Sequence, residues 1–389
     1  MTDMLKNCQL CPRACGADRT KSRGACGAGI EIEAARASLH MWEEPPISGT
    51  NGSGTVFFSH CSLGCVFCQN RKISRREAEG QNITADALAK TFLSLEKKGA
   101  HNINLVTGAH YVPQIIEALQ IARKQGFSLP VVYNSSGYEQ VETLQLLDGH
   151  IDVYLPDYKY YSSYYAGLYS HAEDYREFAV PAIDEMVRQT GAPQFDKNGL
   201  LKRGTVIRHL MLPGLAGDTA QVLRDIASRW GDNVLVSLMR QYTPFDMQDY
   251  PELDRTITAE EYADACTLFG ELGLGGFFQQ DEIHQRELYF PPLTAQDWRK
   301  TNMKTVLSIA GTDPTGGAGI QTDLKTFEAS ACMAWPLSLS CVHKIPLAYS
   351  VCSRFPLNWL ANKLTVCLTI FDRMLSRSVC CMTQRLFTQ

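Results

Sequence analysis

A chain of 389 residues whose 37 Lys and Arg face 41 Asp and Glu carries a formal charge of −4, too little positive charge to bind nucleic acid by neutralising phosphates. With 45% hydrophobic and 20% charged residues it has the composition of a soluble enzyme, long enough for two domains or one large α/β domain with appendages. The opening MTDMLKNCQL has no apolar signal core, and no run of about 18 uncharged apolar residues follows. The expectation is a cytoplasmic chain without a membrane partner.

From about residue 54 to 290, apolar β-rich runs alternate with helical patterns. Residues 55–60 (TVFFSH) read as a first strand that ends at a cysteine-bearing loop. A helix over 84–98 follows, with Thr84 as its N-cap and Gly99 as its stop. Residues 102–107 give a second strand, and 113–125 a helix opened by Pro113 and closed at Gly126. The third strand is 130–134, the next helix 138–148, and the fourth strand 151–155. A helical pattern returns over 171–190, where Pro181 should kink or split the segment. A fifth strand over 205–212, a helix over 217–230, a sixth strand over 233–239 and a helix over 258–272 precede a short apolar run at 276–280. Such β-then-α units predict a parallel sheet with right-handed crossovers. About six units fit a partial (β/α) barrel, with its chemistry on loops at the C-terminal ends of the strands.

The fourteen cysteines are unevenly placed: seven before residue 70, Cys266 in the long middle, and six from Cys332 onward. Disulfides are rare in a reducing compartment, so the N-terminal seven point to metal or iron–sulfur ligation. Cys61, Cys65 and Cys68 form C-x3-C-x2-C directly after the first strand. Three thiolates at this spacing can wrap one corner of a cubane and leave the fourth iron open, as catalytic metal sites keep a position open for substrate. Zinc sites more often pair C-x2-C units with a fourth ligand, and His60 adjoins Cys61 too closely to supply it comfortably. A second set, Cys8, Cys11, Cys15 and Cys26, can close a tetrahedral zinc site or a second cluster; the glycines around Cys26 let the chain turn tightly.

The C-x3-C-x2-C loop, with Phe67 before its last cysteine, resembles the radical S-adenosylmethionine (SAM) signature. The resemblance implies a [4Fe–4S] cluster on Cys61, Cys65 and Cys68, with SAM on the open iron and Phe67 and Asn70 beside it. It further implies one-electron cleavage of SAM to methionine and a 5′-deoxyadenosyl radical. Later motifs resemble the activating-enzyme branch of that superfamily, which contains the pyruvate formate-lyase activases. Thr107-Gly108-Ala109-His110 stands where that branch has a Gly-rich segment for the SAM amino group, here without its acidic residue; Thr107, Gly108 and His110 are marked as cofactor-binding. Asn134-Ser135-Ser136-Gly137 resembles a polar turn of the same branch and marks Asn134 and Ser136. Asp157-Tyr158-Lys159 resembles its Asp-x-Lys motif. Side chains two apart on an extended segment share a face, so Lys159 can meet the SAM carboxylate while Asp157 orients it. Arg208, ahead of Pro213-Gly214, matches an Arg-bearing strand of the activases. Singly, an Asp–Lys pair is usually a solvated ion pair and an arginine in a strand can be structural; the motifs weigh together because they follow successive strands in family order. The match is nearest to the group described as homologous to pyruvate formate-lyase activating proteins and covers residues 8 to about 290. It implies flavodoxin or ferredoxin as electron donor and, for a glycyl radical activase, a protein substrate.

From Lys304 the pattern changes. Residues 306–325, VLSIAGTDPTGGAGIQTDLK, resemble the opening of hydroxymethylpyrimidine (phospho)kinases of thiamine biosynthesis. A generic phosphate loop is the bland alternative, but no Walker lysine follows Gly319. From Ala329 to the end, Asp372 is the single acidic residue against six Lys or Arg, and no helical or strand period survives. The expected organisation is a Cys-rich module over 1–50, a radical SAM core over 51–295 and a truncated kinase-like segment over 303–330. A frameshift would leave 331–389 as an out-of-frame, poorly ordered tail. The competing readings are a remnant of a bifunctional protein with phosphomethylpyrimidine kinase, and a non-catalytic iron–sulfur or zinc protein.

Overall fold

Apolar strands covered on both faces and helices with one apolar stripe dictate a layered α/β arrangement, and the computed structural model has it. It describes residues 2–78 and 80–278, together with the strands at 305–310 and 333–338. Contacts divide the chain into two units, Met1–Thr301 and Asn302–Gln389.

In the first unit ten strands form one sheet: β1 (Ile32–His40), β2 (Ser53–Phe58), β3 (Gln81–Ile83), β4 (Ile103–Val106), β5 (Val131–Ser135), β6 (Val153–Pro156), β7 (Gln194–Phe195), β8 (Leu201–Leu210), β9 (Leu235–Met239) and β10 (Gly276–Phe278). The order is β10-β9-β8-β6-β5-β4-β2-β1-β3, with β7 paired to β8. Strands β2, β4, β5, β6, β8, β9 and β10 run parallel to one another. The two ends of that order are not paired with each other, so the fold is a mostly parallel, open α/β sheet of the partial-barrel kind.

Strands β4, β5 and β6 are buried along their whole length, because helices cover the sheet. The helix Ala85–Lys97 starts where Thr84 Oγ1 accepts the Ala87 N–H at 3.2 Å. It turns Leu88, Ala89, Phe92 and Leu95 inward, spaced as one helical face. Burial of each large apolar side chain stabilises by about 1.5–3 kcal/mol. The helix Val112–Lys124 buries Ile115, Ile116, Leu119 and Ala122 against the same core.

The structure departs from the expected elements at several points. Strands β1 and β3 extend the sheet antiparallel beyond β2; the IEAARASLH stretch alternates too weakly to show itself as a strand, and pairing with β2 stabilises it. A helix at Ser163–Ser170 carries little periodicity and is fixed by burial of Ala166 and Tyr169. One helix, Tyr175–Thr190, runs through Pro181 rather than dividing there. Pro181 is on its exposed side, while Ala179, Val180, Ala182, Ile183 and Met186 pack inward; that packing outweighs the lost helical hydrogen bond.

In the second unit Thr305–Ala310 pairs in parallel with Met333–Ser338, from Thr305↔Met333 to Ala310↔Ser338. The latter strand falls where no strand period was read, and pairing with a β-rich run stabilises it. Residues 279–295 of the expected core, the glycine loop from Gly311, and the rest of the tail lie outside the described residues. Among the described residues no helix is long and apolar enough to cross a membrane.

Candidate active site

Strand β2 hands the chain to the cysteine loop through Ser59 and His60. His60 has φ +74°, a left-handed conformation rare outside glycine. It is held by its N–H to Ile73 O at 2.7 Å and by Nε2 at 3.0 Å from Glu33 Oε2. The loop then closes through the Cys68 N–H on Cys65 O at 3.2 Å and the short helix Arg71–Ser74. Cys61 Sγ accepts the Leu63 N–H at 3.5 Å, Cys65 Sγ accepts the Ser170 hydroxyl at 2.9 Å, and Cys68 Sγ lies 3.2 Å from Ser74 Oγ.

Burial pushes the Cys61 thiol up and the Cys65 thiol up to about 12, while the Lys159 charge pulls both back. Among the described residues no three His, Cys, Asp or Glu side chains are already gathered as ligands of an ion; these thiols are turned to the partners just named. The donor set itself suits an iron–sulfur cluster: three soft ligands, N–H groups aimed at sulfur, and an ammonium nearby as counter-charge.

Across the strand ends lies a charge cluster. Asp157 follows β6, and its Oδ1 accepts Nε and Nη2 of Arg208 in β8 at 3.0 and 2.8 Å. Its Oδ2 accepts Lys159 Nζ at 2.6 Å. Arg208 Nη2 also donates to Asn134 Oδ1 of β5 at 2.7 Å. Burial raises the Asp157 carboxyl, but Lys159 and Arg208 outweigh it and hold it below its ordinary range. The Tyr175 hydroxyl accepts the Lys159 N–H at 3.0 Å and lies 2.8 Å from the carbonyl oxygens of Ser136 and Asp157. Gly137 is required here: its φ is +77°, and a Cβ would run into Asp157 O.

A further acid, Glu43, reaches this cluster from the segment after β1, with Oε2 at 3.8 Å from Arg208 Nη1. Burial, helped by Glu44, pushes its carboxyl up to about 7 against the pull of Arg208. Sequence reasoning missed Glu43, whose surroundings (WEEPPIS) match no motif; two acids ahead of a Pro-Pro turn were the only trace.

The other expected residues divide. Thr107 ends β4 with φ +61° and its N–H on Asn134 O at 2.9 Å; left-handed geometry at a β-branched residue is strain of the sort that gathers at functional sites. Gly108 is closely packed: a Cβ would stand 2.7 Å from the tip of the Ile115 side chain. His110 is buried, with Nε2 2.8 Å from Ser59 O and its own carbonyl on Arg19. Its bonds run beneath the cysteine loop and not to the Asp157–Arg208 charges, and burial pushes its ring down to about 3, which keeps it neutral. Phe67 is buried edge-on to Tyr242, 6.3 Å between centroids. Asn70 acts through its carbonyl, which accepts Ile73 and Ser74 N–H, as Ser136 does through the bond to Tyr175. Of the N-terminal cysteines, Cys8, Cys11 and Cys26 are buried and Cys15 is exposed.

The model of the radical SAM superfamily matches residues 55–225. An uncharacterized protein of Methanocaldococcus jannaschii is 28% identical over 274 residues, which cover 68% of this chain and 75% of that protein. A hydroxymethylpyrimidine/phosphomethylpyrimidine kinase of Saccharomyces cerevisiae is 66% identical over 32 residues, 8% of this chain and 6% of the kinase. Among solved structures, a radical SAM methyltransferase from Sphaerobacter thermophilus aligns at 14% identity and a TM-score of 0.43, over 59% of this chain and 66% of that one.

Proposed function

We propose, from the premise that residues 55–225 are a radical SAM domain, that Cys61, Cys65 and Cys68 hold a [4Fe–4S] cluster at which the chain reductively cleaves SAM. The cluster and SAM supply the one-electron chemistry, yielding methionine and a 5′-deoxyadenosyl radical. The observation that carries this reading is the meeting of the cysteine loop with the charge cluster. Lys159, bonded to Asp157, sets its positive charge within reach of Cys61 and Cys65, where it opposes the rise that burial imposes on both thiols.

The protein's own part is positional. Lys159 and Arg208 present cations to an amino-acid carboxylate, Asp157 aims both, and Asn134 steadies Arg208. Thr107, Gly108 and Ser136 shape the strand ends around them, while Phe67, Asn70 and His110 support the loop from within. The Asp-x-Lys pair and its neighbouring turns support a finer reading: an activase that installs a glycyl radical on a protein partner, in the cytoplasm, with flavodoxin or ferredoxin as electron donor. Cys8, Cys11, Cys15 and Cys26 are proposed to hold a second metal, zinc or iron–sulfur.

Anaerobic reconstitution with iron counting and electron paramagnetic resonance, comparing wild type with Cys65→Ala, tests the centre. About four triad irons per chain, a spectrum that shifts with SAM, and 5′-deoxyadenosine on reduction are expected of wild type and not of the variant. A reduced cluster indifferent to SAM, with no 5′-deoxyadenosine formed, leaves a non-catalytic metal protein instead. The segment 303–330 is read as a kinase fragment without activity; ATP-dependent phosphorylation of hydroxymethylpyrimidine by the full chain overturns that.

A further inference from the structure

The four N-terminal cysteines sit in two tight turns. The first is tied by the Cys8 N–H to Ala17 O and the Gly16 N–H to Cys8 O, both 3.0 Å. The second is tied by the Gly24 N–H to Ala28 O and the Gly27 N–H to Gly24 O, both 2.9 Å. Cys8, Cys11 and Cys26 are buried in these turns and Cys15 is exposed. Between the turns Gly24 leaves a gap: a Cβ there would stand 3.5 Å from Cys26 Sγ and 3.7 Å from Cys15 Sγ.

An independent observation points the same way. Arg19 is only 1% exposed, yet among the described residues no carboxylate pairs with it. Its guanidinium donates to Gly29 O at 2.9 and 2.5 Å and to His110 O at 2.5 Å, with Nη1 3.9 Å from Cys8 Sγ. A buried cation is costly unless compensated. Three carbonyl bonds and the Tyr111 ring, 5.5 Å from the guanidinium carbon, offset part of that cost; four thiolates around a divalent ion carry a net charge of −2 and would add an anion on the side where Nη1 meets Cys8 Sγ. The thiols themselves have not gathered as ligands; Cys15 points to Cys8 O at 3.9 Å, and binding would exchange that weak contact for a metal bond.

The module is also fastened to the start of the cluster loop. Arg13, between two of the cysteines, donates Nε to Ser62 O at 2.9 Å. Arg19 holds His110, whose Nε2 lies 2.8 Å from Ser59 O. Cys61 lies between these two anchored carbonyls.

We propose that Cys8, Cys11, Cys15 and Cys26 bind one tetrahedral divalent ion, zinc by the chemistry of four thiolates, and that Arg13 transmits its order to the cluster loop. The binding half stands by itself; the transmission half rests on the radical SAM reading of Cys61, Cys65 and Cys68. The experiment loads full-length protein with zinc, and with cobalt(II) as a spectroscopic probe, in three forms: wild type, Cys11→Ser, and a variant with the loop cysteines 61, 65 and 68 changed to Ala. Wild type and the loop variant are expected to hold one ion per chain with the absorption of tetrahedral cobalt–thiolate, and Cys11→Ser to lose it. Equal binding by Cys11→Ser, no binding by the loop variant, or a four-iron cluster formed by the loop variant overturns the assignment. None of these readouts depends on SAM chemistry, so failure of the catalytic reading is separately visible.

For transmission, Arg13→Ala is expected to keep its zinc while 5′-deoxyadenosine formation falls about tenfold, the scale at which outer-shell partners of a metal site act. The electron paramagnetic resonance of its reduced cluster is expected to broaden, with partial rescue by Arg13→Lys. An Arg13→Ala protein with unchanged yield and spectrum overturns this half. Circular dichroism melts identify any variant that fails to fold, and cobalt titration of wild type against a chelator then decides the site without it.

Discussion

Asp157 serves two cations at once, and the consequences of removing it differ from those of removing either partner. Asp157→Asn leaves Lys159 and Arg208 crowded without the anion they share, and breaking a largely buried pair from one side costs about 3 kcal/mol; urea denaturation measures the loss. Lys159→Met keeps the Asp157–Arg208 pair, so stability is expected to hold while SAM affinity, read by equilibrium dialysis, falls about tenfold or more. Glu43 gives a pH-dependent outcome. Its folded carboxyl titrates near 7 against an ordinary value of 4.5. The protonated form is favoured in the fold, so its contribution is full below about pH 4.5 and is lost as pH rises through 7. Glu43→Gln is therefore expected to raise the melting temperature above pH 7, by about 1–3 kcal/mol in stability, and to change little near pH 4.5. At this scale the three cysteines, Asp157, Lys159 and Arg208 were legible because each lies in a short motif at a strand end. Glu43 was not, since only the fold brings it within reach of Arg208, 165 positions away in the chain.

The elements were legible wherever local pattern and burial agree. The helix over 84–98 was readable from Thr84, Gly99 and the stripe Leu88, Phe92, Leu95, and it runs Ala85–Lys97. The parallel strands announced themselves as apolar runs for the same reason that they are buried. Strand β1 and the helix Ser163–Ser170 were illegible because their stability comes from tertiary contacts and not from periodicity. Pro181 misled by its intrinsic cost alone. With its ring on the exposed side of Tyr175–Thr190, Pro181→Ala is expected to raise stability by about 1–3 kcal/mol in thermal melts. Gly137→Ala is expected to lower it by about 3 kcal/mol, because the added methyl meets the Asp157 carbonyl and the residue keeps φ +77°.

Across the whole molecule the sheet joins strands that are distant in sequence, and the cysteine loop is fastened at two different stages of the chain. Ser59, His60 and Ser62 are held by Glu33, Ile73, Arg13 and His110, all within the first 110 residues. Beyond Gly64, Arg75 holds the Gly64 and Cys65 carbonyls early, and later anchors are then added: the Val66 N–H goes to Tyr169 O at 2.9 Å, and the Cys65 thiol takes the Ser170 hydroxyl. The charges opposite arrive last, with Arg208. A chain emerging from the ribosome folds from its N-terminal end, so one side of the loop can be docked while the other still waits for some sixty further residues. Iron offered during that interval would meet the loop backbone already placed but the Cys65 thiol still without its Ser170 partner, which makes the timing of cluster delivery relative to synthesis a property written into the topology.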